Sequence, residues 1–169
     1  MPKTTMTTKT TKKSSVPSPK LTDLPPNPFQ SEILELVSKA RTRAKKIELL
    51  KLHRNEALVS LLIWNFDDTV LSMLPEGTVP YKPNEAPKGT EHTSLRSEQR
   101  TFYNFVKGGN DKLSKTRREL IFIQILEGLH PEEADLLILT KDKALINRYS
   151  INRGHVEEAY PDIVWGGRS

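Results

Sequence analysis

Cysteine is absent from the 169 residues of this chain. That excludes a disulfide framework, a thiolate zinc site and a cysteine nucleophile, and it fits a reducing compartment. No apolar run reaches the roughly 18 residues that a membrane span needs. The N-terminus is basic but has no apolar stretch of the secretory kind. There is no glycine-rich phosphate loop, since Gly108 and Gly109 stand without the surrounding motif. No serine sits in a nucleophile elbow. Asp67 and Asp68 are adjacent, and neighbours on a helix point about 100° apart, so they are expected to cap and not to form a catalytic pair.

Histidine is present in two similar settings, His130 before Glu132 and Glu133, and His155 before Glu157 and Glu158. Helical bundles build metal sites from paired carboxylates and histidines. Here the order is reversed and the further carboxylates are missing, so helix capping is the expected role. The expectation is a non-enzymatic protein with no catalytic residue, metal, cofactor or small-molecule substrate.

Acidic residues are missing from the first 20 positions, which carry Lys3, Lys9, Lys12, Lys13 and Lys20. The chain has a net charge of +5, and without these five lysines 21 basic residues face 21 acidic ones. The excess charge therefore belongs to the N-terminal segment. Residues 1–22 are mostly Lys, Thr, Ser and Pro, too polar to offset ordering entropy, and are expected to be disordered. Prolines 17, 19, 25, 26 and 28 extend this into a stiff connector. The expected organisation is a basic tail over 1–26, one helical domain over 27–161 and a short C-terminal tail over 162–169.

Within the domain, helical spacing dominates. Asn27 and Pro28 read as a helix start, followed by Phe29, Ile33, Leu36, Val37 and Ala40 on one face. Further starts are expected at Thr42 and near Asn55, the latter leading into Leu58, Leu61, Leu62, Trp64 and Phe66. A short turn capped by Asp67 or Asp68 is expected to carry Val70, Leu71 and Leu74. Thr93 or Ser94 begins a helix through Phe102, Phe105 and Val106, Ser114 begins another through the run LIFIQILEGL, and Pro131 a third. Short helices are expected over 143–149 and 154–160. The fold class is all-α, a compact domain of six to eight helices.

One long interruption breaks the pattern. Pro75 to His92, PEGTVPYKPNEAPKGTEH, holds four prolines and two glycines. Connections in compact domains are usually about 4–6 residues. The stretch NFDDTVLSMLPEGTVPYKPNEAPKGTEHTSLRSEQRTFYNFVKGGN, with RRELIFIQILEGLHPEEADLLI and KDK after it, resembles an uncharacterised family of tailed bacteriophages, found especially among T-even-like myoviruses of marine bacteria. The resemblance covers roughly Phe29 to Pro161. It implies a setting, the cytoplasm of an infected bacterial host or the virion, and no functional residues. The loop is either a strap across its own core anchored by Tyr81, a surface for a partner with Tyr81 and Lys82 exposed, or a flexible linker between subdomains.

Two basic clusters are the candidate binding residues. Lys39, Arg41, Arg43, Lys45, Lys46, Lys51 and Arg54 face one acid, Glu48, and a second group comprises Lys112, Lys115, Arg117 and Arg118. On one face they would form a phosphate-binding stripe. Phe102 and Phe105 are expected in the core, while Tyr103 could be core or a stacking ring. The favoured function is an accessory protein contacting nucleic acid, nonspecifically, or a nucleoprotein assembly. The alternative is a virion structural protein of the head or neck, with the loop and tail as subunit contacts.

Overall fold

The computed structural model describes residues 24–168. The expectation of a disordered tail falls mainly on residues 1–23, outside the described ones. Among the described residues there are seven α-helices, two 3-10 helices and no strand. These are α1 (Gln30–Lys39), α2 (Arg43–Leu52), α3 (Glu56–Phe66), α4 (Leu95–Glu98), α5 (Lys115–Gly128), α6 (Pro131–Lys141) and α7 (Arg153–Ala159). The 3-10 helices are Gln99–Phe105 and Leu145–Asn147.

Helix α3 is the centre. It is apolar nearly all round, and it packs on α4, α6 and the 3-10 helix Gln99–Phe105. Leu58, Leu61 and Leu62 are fully buried and meet Ile33, Leu34 and Val37 of α1 and Leu136 and Leu137 of α6 in one core. Each such leucine contributes roughly 1.5–3 kcal/mol by leaving water. Helices α1, α2 and α7 form a second layer in which α2 packs on both neighbours. Leu24 near one end, and Ile163 and Trp165 near the other, also pack on this core.

Several helix starts follow the sequence signals. Thr42, Asn55, Ser94 and Ser114 each accept a backbone N–H three residues on. Pro131 opens α6, and His130 Nδ1 accepts from Glu132 N at 3.2 Å. Helix α1 departs from expectation. Asn27 has φ +52° and stands outside the helix, which begins at Gln30. The reason is tertiary. The buried Glu133 carboxylate accepts from Gln30 N at 2.9 Å and from Leu95 N at 3.1 Å, so one side chain of α6 caps both α1 and α4. Burial pushes its carboxyl above the ordinary value, and these two donors only partly offset that.

The segment after α3 is also different. Asp67 caps one hydrogen-bonded turn, in which Val70 N donates to Asp67 O at 3.1 Å, and the turn stops there without taking in Leu71 or Leu74. Residues 71–73 run extended and pair with 105–107, with Met73 N donating to Phe105 O and Lys107 N to Leu71 O, both at 2.8 Å. Asp67 also ends α3 and gathers the C-terminal residues. Its carboxylate accepts from Thr69 N and Oγ1, Gly166 N at 3.0 Å and Arg168 Nη1 at 2.6 Å. Burial alone would raise its pKa, but these donors together hold it well below the carboxylate range. The helix expected from Ser94 winds down into 3-10 geometry after one turn. With about three residues per turn, positions three apart eclipse. That spacing puts Phe102 and Phe105 together against Trp64.

The long loop is a strap. Leu74, Val79 and Tyr81 pack against the core. Lys141 Nζ donates to Pro75 O at 2.8 Å and Gly77 O at 3.1 Å, and Lys82 N donates to Glu127 Oε1 at 3.1 Å. Gly77 and Gly89 turn at φ +95° and +93°, a region that glycine enters without a steric cost.

Candidate nucleic-acid interface

The two basic clusters fare differently once folded. In the first, Lys46 is buried. Its ammonium donates to the carbonyls of Val37 (3.2 Å), Ser38 (3.0 Å) and Ser150 (2.8 Å), closing the end of α1 and tying it to the segment before α7. Burial lowers its pKa. Arg43 pairs with Glu158 at 2.9 Å, and Arg54 meets Asp162 with two bonds of 2.6 Å while lying over the Tyr160 ring. Lys39 pairs with Glu35 and Lys45 with Glu48, both at 3.4 Å. Arg41 and Lys51 alone of the seven are exposed without an acidic partner among the described residues.

The second cluster is divided. Arg118 is buried and donates to the carbonyls of Asn104 (2.8 Å), Asn110 (3.1 Å) and Leu113 (3.0 Å). It is therefore a clamp on the backbone and takes no part in an exposed stripe. Lys112, Lys115 and Arg117 are exposed and unpaired among the described residues. The clusters do not lie on packed neighbours, because α2 packs on α1 and α7, whereas α5 packs on α6 and the 3-10 helix Gln99–Phe105.

The structure adds residues that sequence reasoning passed over. Arg96 and Arg100, on α4 and the 3-10 helix, and Lys107 beyond it are exposed and have no acidic partner among the described residues. With Lys112, Lys115 and Arg117 they make six free cations within residues 96–117. The two acids of that span are engaged locally. Glu98 accepts from Thr93 Oγ1 and Thr101 Oγ1, and Asp111 accepts from Gly108 N. A usable signal existed: neither Arg96 nor Arg100 has an acid three or four positions away on its helix, the spacing at which helical pairs form.

The backbone under these cations is one unit. Arg118 ties residue 104 to residues 110 and 113, and Asn110 Nδ2 donates to Asn104 Oδ1 at 3.0 Å. Gly109 lies so close to the Tyr103 carbonyl that a Cβ there would stand 2.0 Å from its oxygen. Only glycine fits that approach. Lys115 and Arg117 also sit in the first turn of α5, which holds no acid. Cations there oppose the helix dipole, so the placement costs local stability.

Over residues 33–147 the chain matches a family of unknown function (DUF6433). The chain belongs to that family. No curated protein and no solved structure matches it. The family's span takes in both basic clusters, the strap and the 96–117 region, and ends before α7.

The remaining candidates have structural roles. His155 Nδ1 accepts from Asn152 N while Asn152 Oδ1 accepts from His155 N, a reciprocal cap at the start of α7. Among the described residues, no group of three or more His, Asp or Glu side chains is placed to hold a metal. No helix of the described residues is long and apolar enough to cross a membrane. In the strap, Tyr81 is half-buried and Lys82 exposed. Between the strap and α5 lies a cavity of about 110 Å³, walled by Leu74, Val79, Pro80, Phe122 and Ile123, room for a few waters.

Proposed function

We propose that this is a phage accessory protein that acts by binding nucleic acid, or an assembly containing it, and not by catalysis. The bacteriophage setting, an infected cell or a virion, rests on the resemblance of the strap and its flanking helices. The observation that carries the binding is the set of six exposed cations, Arg96, Arg100, Lys107, Lys112, Lys115 and Arg117, without acidic partners among the described residues. An ion pair must break before its cation can serve a phosphate. A free cation has no such cost, and phosphate contact releases counterions from the nucleic acid, which drives binding. Contacts of this kind give affinity and position without reading sequence. The five lysines of the first 20 residues add charge of the same sign.

The test is equilibrium binding of the full chain to labelled duplex and single-stranded DNA across a salt series. One variant carries Arg96→Gln, Arg100→Gln, Lys115→Gln and Arg117→Gln. A second changes the five N-terminal lysines to Gln. Four lost phosphate contacts should reduce the slope of log affinity against log salt by about 3. The N-terminal variant should keep most of its affinity. A wild-type protein that binds neither DNA at low salt would refute the reading. Binding lost only with the N-terminal lysines would transfer it from the folded domain to the tail.

A further inference from the structure

We infer that the 96–117 surface takes single-stranded nucleic acid in preference to duplex, with Tyr103 as the platform on which an unpaired base stacks. This rests on the binding role proposed above. Four observations lead to it.

Tyr103 is 54% exposed, whereas its neighbours Phe102 and Phe105 are 6% and 0% exposed. The 3-10 winding explains the split, since residues 102 and 105 eclipse on the core side and residues 100 and 103 eclipse on the outer side. Arg100 therefore stands directly before Tyr103, about 6 Å along the axis, with Arg96 one turn earlier. A ring and two guanidinium groups line a single exposed ridge.

Tyr103 is also the one aromatic ring among the exposed large apolar side chains of the described residues. Four other rings, buried or half-buried, lie under the protein's own cations. Arg54 lies over Tyr160, Lys88 over Phe29, Arg148 over Tyr149 and Arg153 over Trp165, at 4.7–5.5 Å from the ring centres. Tyr103 takes part in none of these contacts and in none of the ring–ring contacts of the described residues.

The ridge is held from behind. Tyr103 O is in contact with Gly109, and the next carbonyl, of Asn104, is clamped by buried Arg118. With the main chain beneath it already held, a base can land on the uncovered ring without ordering any backbone.

The chemistry then separates the two kinds of strand. A duplex offers phosphates to the six cations, but its base faces are already stacked inside. A single strand offers the same phosphates and free base faces as well. Aromatic stacking tolerates any base, because every base has a π-face, and arginine beside the ring adds to it. An acidic protein would satisfy the cations and leave the ring idle.

The experiment uses the full chain with three labelled probes of similar length: an oligothymidylate, a DNA duplex and poly-glutamate. Wild type should bind the oligothymidylate more tightly than the duplex at matched salt. Tyr103→Ala should weaken single-strand binding by about 5- to 150-fold, the range for loss of one base–aromatic stack. It should leave duplex affinity within about 2-fold and the melting temperature unchanged, since an exposed ring adds little to folding. Tyr103→Phe keeps the π-face and should retain most single-strand affinity. Equal loss for both DNAs, no loss for either, or poly-glutamate bound as tightly as the oligothymidylate would each overturn the inference. In those cases a salt slope that still depends on Arg96, Arg100, Lys115 and Arg117 leaves the broader binding role standing. Failure of both DNAs to bind would remove the two together.

Discussion

Residues 39–54 and residues 96–117 are both rich in cations, and in sequence the first is the denser. After folding the order reverses. In the first region four of seven cations pair with carboxylates and a fifth, Lys46, is buried among carbonyls. In the second, six cations remain exposed and free of acidic partners among the described residues. Charge density along a chain therefore says little about charge available to a ligand. What decides is where the opposite charges land. Arg43 and Arg54 find theirs at positions 115 and 108 residues away.

The largest effects should come from cations placed inside the fold. Lys46→Met leaves the carbonyls of Ser38 and Ser150 without a donor, and Arg118→Met does the same to those of Asn104 and Leu113, while Val37 O and Asn110 O keep a backbone N–H. Each should lower unfolding free energy by about 2–4 kcal/mol in urea denaturation, since a buried unsatisfied carbonyl costs about 1–3 kcal/mol and partial rehydration recovers some of it. A neutral result at either position would mean that these groups reach solvent, and the contrast between clamps and free cations would fall.

The next test moves charge between the regions. Glu158→Gln with Asp162→Asn releases Arg43 and Arg54. The salt slope for single-stranded DNA should then rise by up to about 1.4 if the freed cations reach phosphates. An unchanged slope would place the first region outside the strand's path. The stability change should be small, because both pairs are exposed to water.

Acid should weaken the Arg54–Asp162 pair gradually. The hydrogen bond from Arg54 holds the Asp162 carboxyl at about 2. An unfolded aspartate titrates near about 3.9. The pair's contribution is therefore present above about pH 3.9 and is lost as pH falls through about 2. Asp162→Asn should show a correspondingly shallower loss of stability across that interval. Asp67, which binds the C-terminal residues, is displaced in the same direction, so Asp67→Asn should flatten the acid limb further.

The smallest effect should follow from Arg43→Gln alone. A change of about 0.2–1 kcal/mol in stability, and no change in the salt slope, would match a cation already occupied by Glu158.

The pieces of the molecule that were legible are those whose causes are local. Thr42, Asn55, Ser94 and Ser114 cap helices because a short polar side chain reaches an N–H three residues on. The all-α class followed from apolar spacing within each helix. The start of α1 was misplaced by two or three residues because its cap, Glu133, lies 103 residues further on. The turn expected after Asp67 ends at Val70, and residues 71–73 run extended because residues 105–107 offer them backbone partners. The 3-10 winding that turns Tyr103 outward was not legible either, since Phe102 and Phe105 fit an α-helical face almost as well.

By itself, the sequence determined that the chain makes helices, where most of them begin, and that a long proline-rich segment separates two groups of them. Capping and periodicity act over three or four residues, so they survive without knowledge of the fold. Only the tertiary structure decided which cations are bound by the protein and which face outward. A salt bridge or a buried carbonyl clamp depends on groups brought within about 4 Å of each other by packing, and that proximity has no trace in local sequence.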